Sequence, residues 1–293
     1  MLGPLLFSIF CNDLPNIVTG EDKLYMYADD TTIFTTGPTS DIAVTKMNAI
    51  LQQMLYWCTE NRMTPHPDKC EFMILNRSGF IGPMPAVRFG SSLIRQVRHT
   101  RCLGLELDDK LSWLPHVTEL TKSFVQKVNL LKSLRFLPKD VRLDFYFKVI
   151  LPAVTYGLVI WGSCNKTLME SIQKVHFRAA RIIHGLPWDT PRTRVMSQLH
   201  WKPLTYFCKI RLGMFVHKCI FGDVHRDLQQ LFTKRDVPYD LRGCNIVELP
   251  RHNSNYAKNS IRIQGAKLWN NLSDEARSTI STISFKRGLK MSL

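Results

Sequence analysis

Near residue 110 the chain changes character in two respects at once, and that change limits what it can fold into. Before it, short β-favouring runs alternate with helical stretches, and charge is nearly balanced: residues 1–110 carry 10 Lys and Arg against 12 Asp and Glu. After it, apolar residues recur every three or four positions, and residues 111–293 carry 29 basic against 12 acidic side chains. That spacing collects apolar residues on one face of a helix. The sequence therefore predicts an α+β first part and a helical, strongly basic second part. The whole net charge of +15 arises in the second part. A cationic surface of that size favours a polyanionic partner, nucleic acid first among them.

With 45% hydrophobic and 22% charged residues the chain can bury a core, which excludes wholesale disorder. The longest nearly apolar run, residues 149–161, is shorter than the roughly 20 residues a membrane span needs. It is also broken by Pro152 and Gly157. The apolar opening has no basic residue before Lys23 and no small-residue cleavage site behind it, so no secretory leader is expected. None of the eight cysteines forms a C-x-x-C pair. Reduced thiols in an intracellular protein, nuclear or cytoplasmic, are the expectation. Cys208, His217 and Cys219 are metal-ligand types, but in a helical stretch at this spacing they read as core residues.

Gly3-Pro4 followed by Leu5, Leu6, Phe7, Ile9 and Phe10 predicts a buried helix that ends near Asn12-Asp13-Leu14-Pro15. Residues 23–27 and 31–35 predict two strands flanking Ala28-Asp29-Asp30. A helix capped by Ser40 or Asp41 follows, with Ile42, Met47, Ile50, Leu51, Met54 and Leu55 on one face. Residues 70–75, 86–89, 93–97 and 102–107 read as further strands. Leu114, Val117, Leu120, Phe124, Val128, Leu131 and Leu134 mark a long amphipathic helix. A second starts near Pro138, and others cover residues 168–182 and 204–221.

Tyr27-Ala28-Asp29-Asp30 carries the chemistry. Two adjacent carboxylates on a tight turn repel each other, and a hard divalent cation relieves that repulsion with oxygen ligation. Polymerases use such carboxylates to hold two metal ions about 3.5–4 Å apart. A bare Asp-Asp is usually only a soluble turn; here the preceding Tyr-Ala and the flanking strands point further.

The surrounding blocks extend that pattern. They are Gly3-Pro4-Leu5-Leu6-Phe7 with Asn12-Asp13-Leu14-Pro15, and Trp57 to Asn61 with Pro67-Asp68-Lys69-Cys70-Glu71-Phe72-Met73. Leu103-Gly104-Leu105-Glu106-Leu107-Asp108 follows, with Leu111-Ser112-Trp113 and His116, then Leu137-Pro138-Lys139 and residues 151–161. In order and spacing these resemble the reverse transcriptase of non-LTR (LINE-type) retrotransposons, over about the first 160 residues. The blocks look like the tail of motif B, motif C at Tyr27–Asp30, motif D, motif E and the thumb helices.

The resemblance implies a partial palm at 1–110 (a short antiparallel sheet with helices), thumb-like helices at 111–163 and a basic, mostly helical extension at 164–293. It implies RNA-directed DNA synthesis by two-metal nucleotidyl transfer, with Mg²⁺ or Mn²⁺, an RNA template, a DNA primer and dNTP. Asp29 would ligate metal with Asp30 beside it. Lys69 would be the general acid for departing pyrophosphate. Tyr27 and Ala28 would lie near the primer terminus, and Leu103 and Gly104 in the primer-grip hairpin. His66 stands where the family usually has asparagine. The family's third metal-binding aspartate lies in motif A, upstream of motif B, and has no counterpart among these 293 residues. Asp13 follows the motif B helix and does not replace it. The expectation is thus a chain truncated within motif B that does not polymerise alone. The alternative is a non-catalytic RNA- or DNA-binding remnant of a mobile element, and a group II intron-type maturase is a lesser one.

Basic clusters support nucleic-acid contact independently of the resemblance. Lys174, Arg178 and Arg181 share a helical face, and Arg95, Arg98 and Arg101 lie near the Leu103 hairpin. Arg192, Arg194, Lys202, Lys209 and Arg211 are interleaved with Trp188, Trp201, Tyr206 and Phe207. Cations neutralise phosphates, and aromatics stack on unpaired bases.

Overall fold

A computed structural model describes residues 2–75, 86–235, 246–252 and 255–293. The chain divides into two compact units, Met1–Leu111 and Ser112–Leu293.

In the first unit, helix α1 (Gly3–Phe10) has Pro4 in its first turn and gives way to a 3₁₀ turn at Leu14–Ile17. The expected burial of α1 is corrected here. None of its residues is buried, and Leu5, Leu6 and Ile9 are 53–64% exposed. The helix is almost wholly apolar, but only Phe7, packed into the small core of Cys11, Leu14, Trp57 and Cys58, and Phe10, edge-on to Trp57, engage that core. Strands β1 (Lys23–Tyr27) and β2 (Asp30–Phe34) pair antiparallel. Helix α2 (Ser40–Glu60) follows. Its cap is Thr39 rather than Ser40 or Asp41: Thr39 is extended, and its hydroxyl accepts from the Ile42 amide at 3.3 Å. The helix turns Val44 and Leu51 towards Val87, Phe89 and Ile94, and Trp57 and Cys58 towards the α1 side. Ile42, expected on its apolar face, is exposed.

The later strands are short: β3 (Glu71–Phe72), β4 (Arg88–Phe89), β5 (Ser92–Leu93), β6 (Arg95–Gln96), β7 (His99–Cys102) and β8 (Leu105–Asp108). β4 pairs with β5 and β7 with β8 in antiparallel fashion, while β3 and β6 are parallel. The described residues thus form four separate two-stranded ladders, in place of one short antiparallel sheet. The expected strand at 93–97 breaks at Ile94. That side chain is buried and its amide bonds the Val87 carbonyl at 2.9 Å, after which Val97 bonds Phe72. The expected strand at 102–107 folds back on itself at Leu103-Gly104. Both of those residues have positive φ (46° and 82°), the sign pattern of a type I′ hairpin turn.

The second unit is helical. Helix α3 (Leu114–Ser133) buries Val117, Phe124, Val128 and Leu131 completely. Helix α4 (Lys139–Phe145) widens into a π turn at Tyr146–Ile150 before α5 (Leu151–Val154). Pro152 has no amide to offer the Lys148 carbonyl, which accounts for the widening. After Gly157 come α6 (Leu158–Trp161) and α7 (Lys166–His184). Asn165 caps α7 by accepting from the Leu168 amide at 2.9 Å, and Gly185 ends it with a positive φ of 67°. Helix α3 packs along α7.

Helices α8 (Arg192–Leu199), α9 (Leu204–Ile220), α10 (Arg226–Gln229), α11 (Asn255–Asn259), α12 (Ile261–Asn270), α13 (Asp274–Ser278) and α14 (Thr282–Ser292) complete the unit. Val216, Phe232, Trp269, Phe285 and Leu289 form its core where α9 meets α12 and α14. Gly265 permits that approach, since a Cβ there would lie 2.7 Å from the Phe232 ring. No helix among the described residues is long and apolar enough to cross a membrane.

Candidate functional site

The β1–β2 hairpin presents the Asp-Asp turn. Alternation along its strands sends Leu24, Met26 and Ile33 inward, against the two small cores of the first unit. Tyr25, Tyr27, Asp30 and Phe34 are left on the exposed side. Tyr27 lies opposite Asp30, so Ala28 and Asp29 alone form the loop. Ala28 has a φ of 53° and Asp29 does not have a positive one, the sign pattern of a type II′ turn, which ordinarily takes glycine first. A side chain held in that region costs about 1–3 kcal/mol and persists where the surroundings impose it.

Both carboxylates are exposed, and no hydrogen bond or ion pair ties either to another described residue. Two neighbouring, uncommitted oxygen donors suit a hard divalent cation. Among the described residues, however, no group of three or more His, Cys, Asp or Glu side chains gathers as a metal cage. The donor chemistry fits the metal; the ligand set is short.

Lys69 lies exposed at the end of a 3₁₀ turn, Pro67–Lys69, which follows α2. Leu103 and Gly104 are both exposed at the β7–β8 tip. The Arg95, Arg98 and Arg101 cluster is partly committed within the fold. Arg95 forms an ion pair with Glu71, which also accepts from the Thr100 hydroxyl at 3.1 Å. The Arg95 hydrogen bond holds the Glu71 carboxyl below the usual glutamate range. Arg101 lies opposite Glu106 in the β7–β8 register, and Arg98 is exposed. Glu71, which reads in the sequence as one more strand residue, thus ties β3 to β6 and β7.

On α7, Lys174 and Arg178 face solvent, with Arg178 donating to Asn129 at 2.9 Å. Arg181 is half-buried, and its Nε and Nη2 both donate to the Thr190 carbonyl, at 2.9 and 2.7 Å. Burial, then the neighbouring Arg192, lowers its pKa, with Asp189 acting in the opposite sense. The aromatics divide. Trp201 is buried against Tyr146 and His176, whereas Trp188 is 88% exposed.

Cys208, His217 and Cys219 do not converge as ligands. His217 Nε2 donates to the Thr279 carbonyl at 2.8 Å and its ring stacks on Phe285, while Cys219 is buried in the apolar core. Cys244 lies outside the described residues.

Residues 1–107 match the family model described as reverse transcriptase (RNA-dependent DNA polymerase). The chain is 29% identical over 199 residues to the RNA-directed DNA polymerase from mobile element jockey of Drosophila melanogaster, covering 64% of this chain and 21% of that protein. It is 27% identical over 214 residues to an RNA-directed DNA polymerase from transposon BS of the same fly, covering 68% and 23%. A transposon-derived protein of Caenorhabditis elegans is 25% identical over 205 residues, which is 65% of this chain and 69% of that one. The chain spans about a fifth of the length of the fly relatives. No solved structure matches it at a significant level. Residues 1–107 thus carry a reverse transcriptase segment, and about two thirds of the chain is similar to the RNA-directed DNA polymerases of non-LTR, LINE-type retrotransposons.

Proposed function

We propose that the chain is a working part of an RNA-directed DNA polymerase, with Asp29 and Asp30 as the metal-holding turn of its palm. The observation that carries this is the uncommitted, exposed carboxylate pair on a strained two-residue turn, within the stretch that matches the reverse transcriptase family. Asp29 at the tip and Asp30 at the start of β2 would hold Mg²⁺ or Mn²⁺, and the bound metal would activate the primer 3′-hydroxyl and steady the leaving pyrophosphate. Tyr27, opposite Asp30, offers an exposed ring beside the primer end, and Lys69 an exposed ammonium able to protonate the departing phosphate. The Leu103-Gly104 tip would support the primer strand. The helices from residue 111 would act as a thumb to residue 163 and as a basic extension beyond it. RNA template and DNA primer are the proposed partners, with dNTP as substrate.

The 293 residues by themselves do not polymerise in this reading, because two carboxylates underligate a metal pair and no third acidic group joins them among the described residues. Nucleic-acid binding is retained, since it rests on the 29 basic side chains after residue 110. Primer extension on an RNA template with Mg²⁺ and dNTP is expected to give no product above a protein-free blank. A gel-shift with the same primer–template is expected to show binding that weakens steeply with salt. Robust extension abolished by Asp29→Ala would overturn the inactivity. Absence of any binding at low salt would overturn the nucleic-acid reading.

A further inference from the structure

Trp188 sits on a turn that is built to hold it out of the fold. Helix α7 ends at Gly185, where the Leu186 amide bonds the Arg181 carbonyl at 2.9 Å. The chain then turns over Pro187–Thr190. The Thr190 amide and hydroxyl both donate to the Pro187 carbonyl, at 3.2 and 2.8 Å. Thr190 itself is buried, and its own carbonyl takes both bonds from Arg181. Each end of the turn is therefore fixed. Its crown nevertheless carries the largest apolar side chain available, at 88% exposure. A tryptophan with no packing role on an ordered turn loses the hydrophobic gain it would have in a core.

The surroundings are cationic. Arg192 acts electrostatically on Arg181, and Lys139 and Arg142 act on His184 at the end of α7. Lys174 and Arg178 line the exposed face of the same helix. Of the nearby acids, Glu170 is spent on Arg192, and Asp189 lies in the turn itself.

We infer that the Trp188 turn is a stacking platform for an unpaired base of single-stranded nucleic acid, with the cations along α7 taking the flanking phosphates. This rests on the nucleic-acid contact proposed above and adds a strand preference and a named stacking residue. A single aromatic face at the tip of a turn gains contact only with a base whose own face is free. Bases inside a duplex already cover each other. The platform therefore serves unpaired template or a frayed end, and Arg181 serves it as a positioning residue by holding the turn.

The test is fluorescence anisotropy of the full chain with a labelled oligo(dU) strand and with a duplex of equal length. Trp188→Ala should weaken single-strand binding about 5- to 150-fold, the range that removal of one base-stacking aromatic gives. Duplex binding should be unchanged, and Trp188→Phe should recover most of the loss. Lys174→Ala/Arg178→Ala should weaken both ligands and flatten the salt dependence of each. If Trp188→Ala leaves both ligands unaffected while the double variant weakens them, nucleic-acid contact stands and the platform is wrong. Equal loss on strand and duplex would also overturn stacking. If neither ligand binds the unaltered chain, both readings fail. If Trp188→Ala instead abolishes self-association in sedimentation, with strand binding intact, the turn is a protein contact and the inference is overturned.

Discussion

Replacing Trp269 with Ala is expected to lower the unfolding free energy of the helical unit by about 3–5 kcal/mol, the cost of an aromatic-sized cavity in a closed core. Trp269 is fully buried where α12 faces α9 and α14, with its ring 5.6 Å from that of Phe285 and 6.3 Å from that of His217. The site has little room to collapse. Gly265, one helical turn before it, already lies against Phe232 and Val216 without a side chain of its own. Urea unfolding of the full chain, followed by helical circular dichroism, measures the shift. Trp188→Ala in the same experiment is expected to stay within about 0.5 kcal/mol, because an exposed side chain has no cavity to leave. Equal effects from the two substitutions would mean that the core is misplaced.

Acid is expected to destabilise the same unit by a comparable amount through His176. That imidazole is fully buried. Its Nε2 donates to the Lys202 carbonyl at 2.9 Å, which leaves Nδ1 to accept from the Tyr146 hydroxyl at 2.5 Å. The rings of Trp201, Phe177 and Phe207 complete its surroundings. Burial pulls its pKa down to about 4, with the Lys202 bond acting in the opposite sense. An unfolded chain binds the same proton near the ordinary histidine value, so between about pH 6.5 and pH 4 the unfolded state carries more protons. Stability is therefore complete above that window and falls as pH drops through it. The loss is about 3 kcal/mol at pH 4 from this residue alone. His184 and His217 are also lowered by burial and act in the same direction. His176→Phe should cost stability at pH 7, by stranding the Tyr146 hydroxyl and the Lys202 carbonyl, yet flatten the slope between pH 6.5 and 4. A slope that survives the substitution would assign the acid sensitivity elsewhere.

How legible these features were in the sequence depended on how local their causes are. The β1–β2 hairpin was readable from a β-favouring run on either side of a short polar turn, and α3 and α7 from apolar spacing, since each needs only its own residues. The exposure of α1 was not readable, because a run such as Leu5-Leu6-Phe7 shows a tendency to be buried but not whether a partner surface is present. The two-residue strands were over-long in expectation because their ends are set by side chains distant in sequence. Ile94 stays beside Val87 and Phe89, so the run divides there between the β4–β5 and β3–β6 pairings. The difference between Trp188 and Trp201 lies in Tyr146 and His176, which cover one and not the other. Composition places both among basic residues and cannot separate them. Asp29 and Asp30 were found by residue type, while the strain at Ala28 became visible only in the backbone.

The claim that Asp29 and Asp30 form a metal-holding turn is tested most directly by Mn²⁺ binding, read by electron paramagnetic resonance, on the full chain and on its Asp29→Asn/Asp30→Asn variant. The account predicts weak binding of Mn²⁺ to the unaltered chain, displaced by excess Mg²⁺, with one site lost in the variant while helical content is unchanged. The same number of bound ions in both proteins would contradict it, and would reduce the hairpin to an exposed acidic turn.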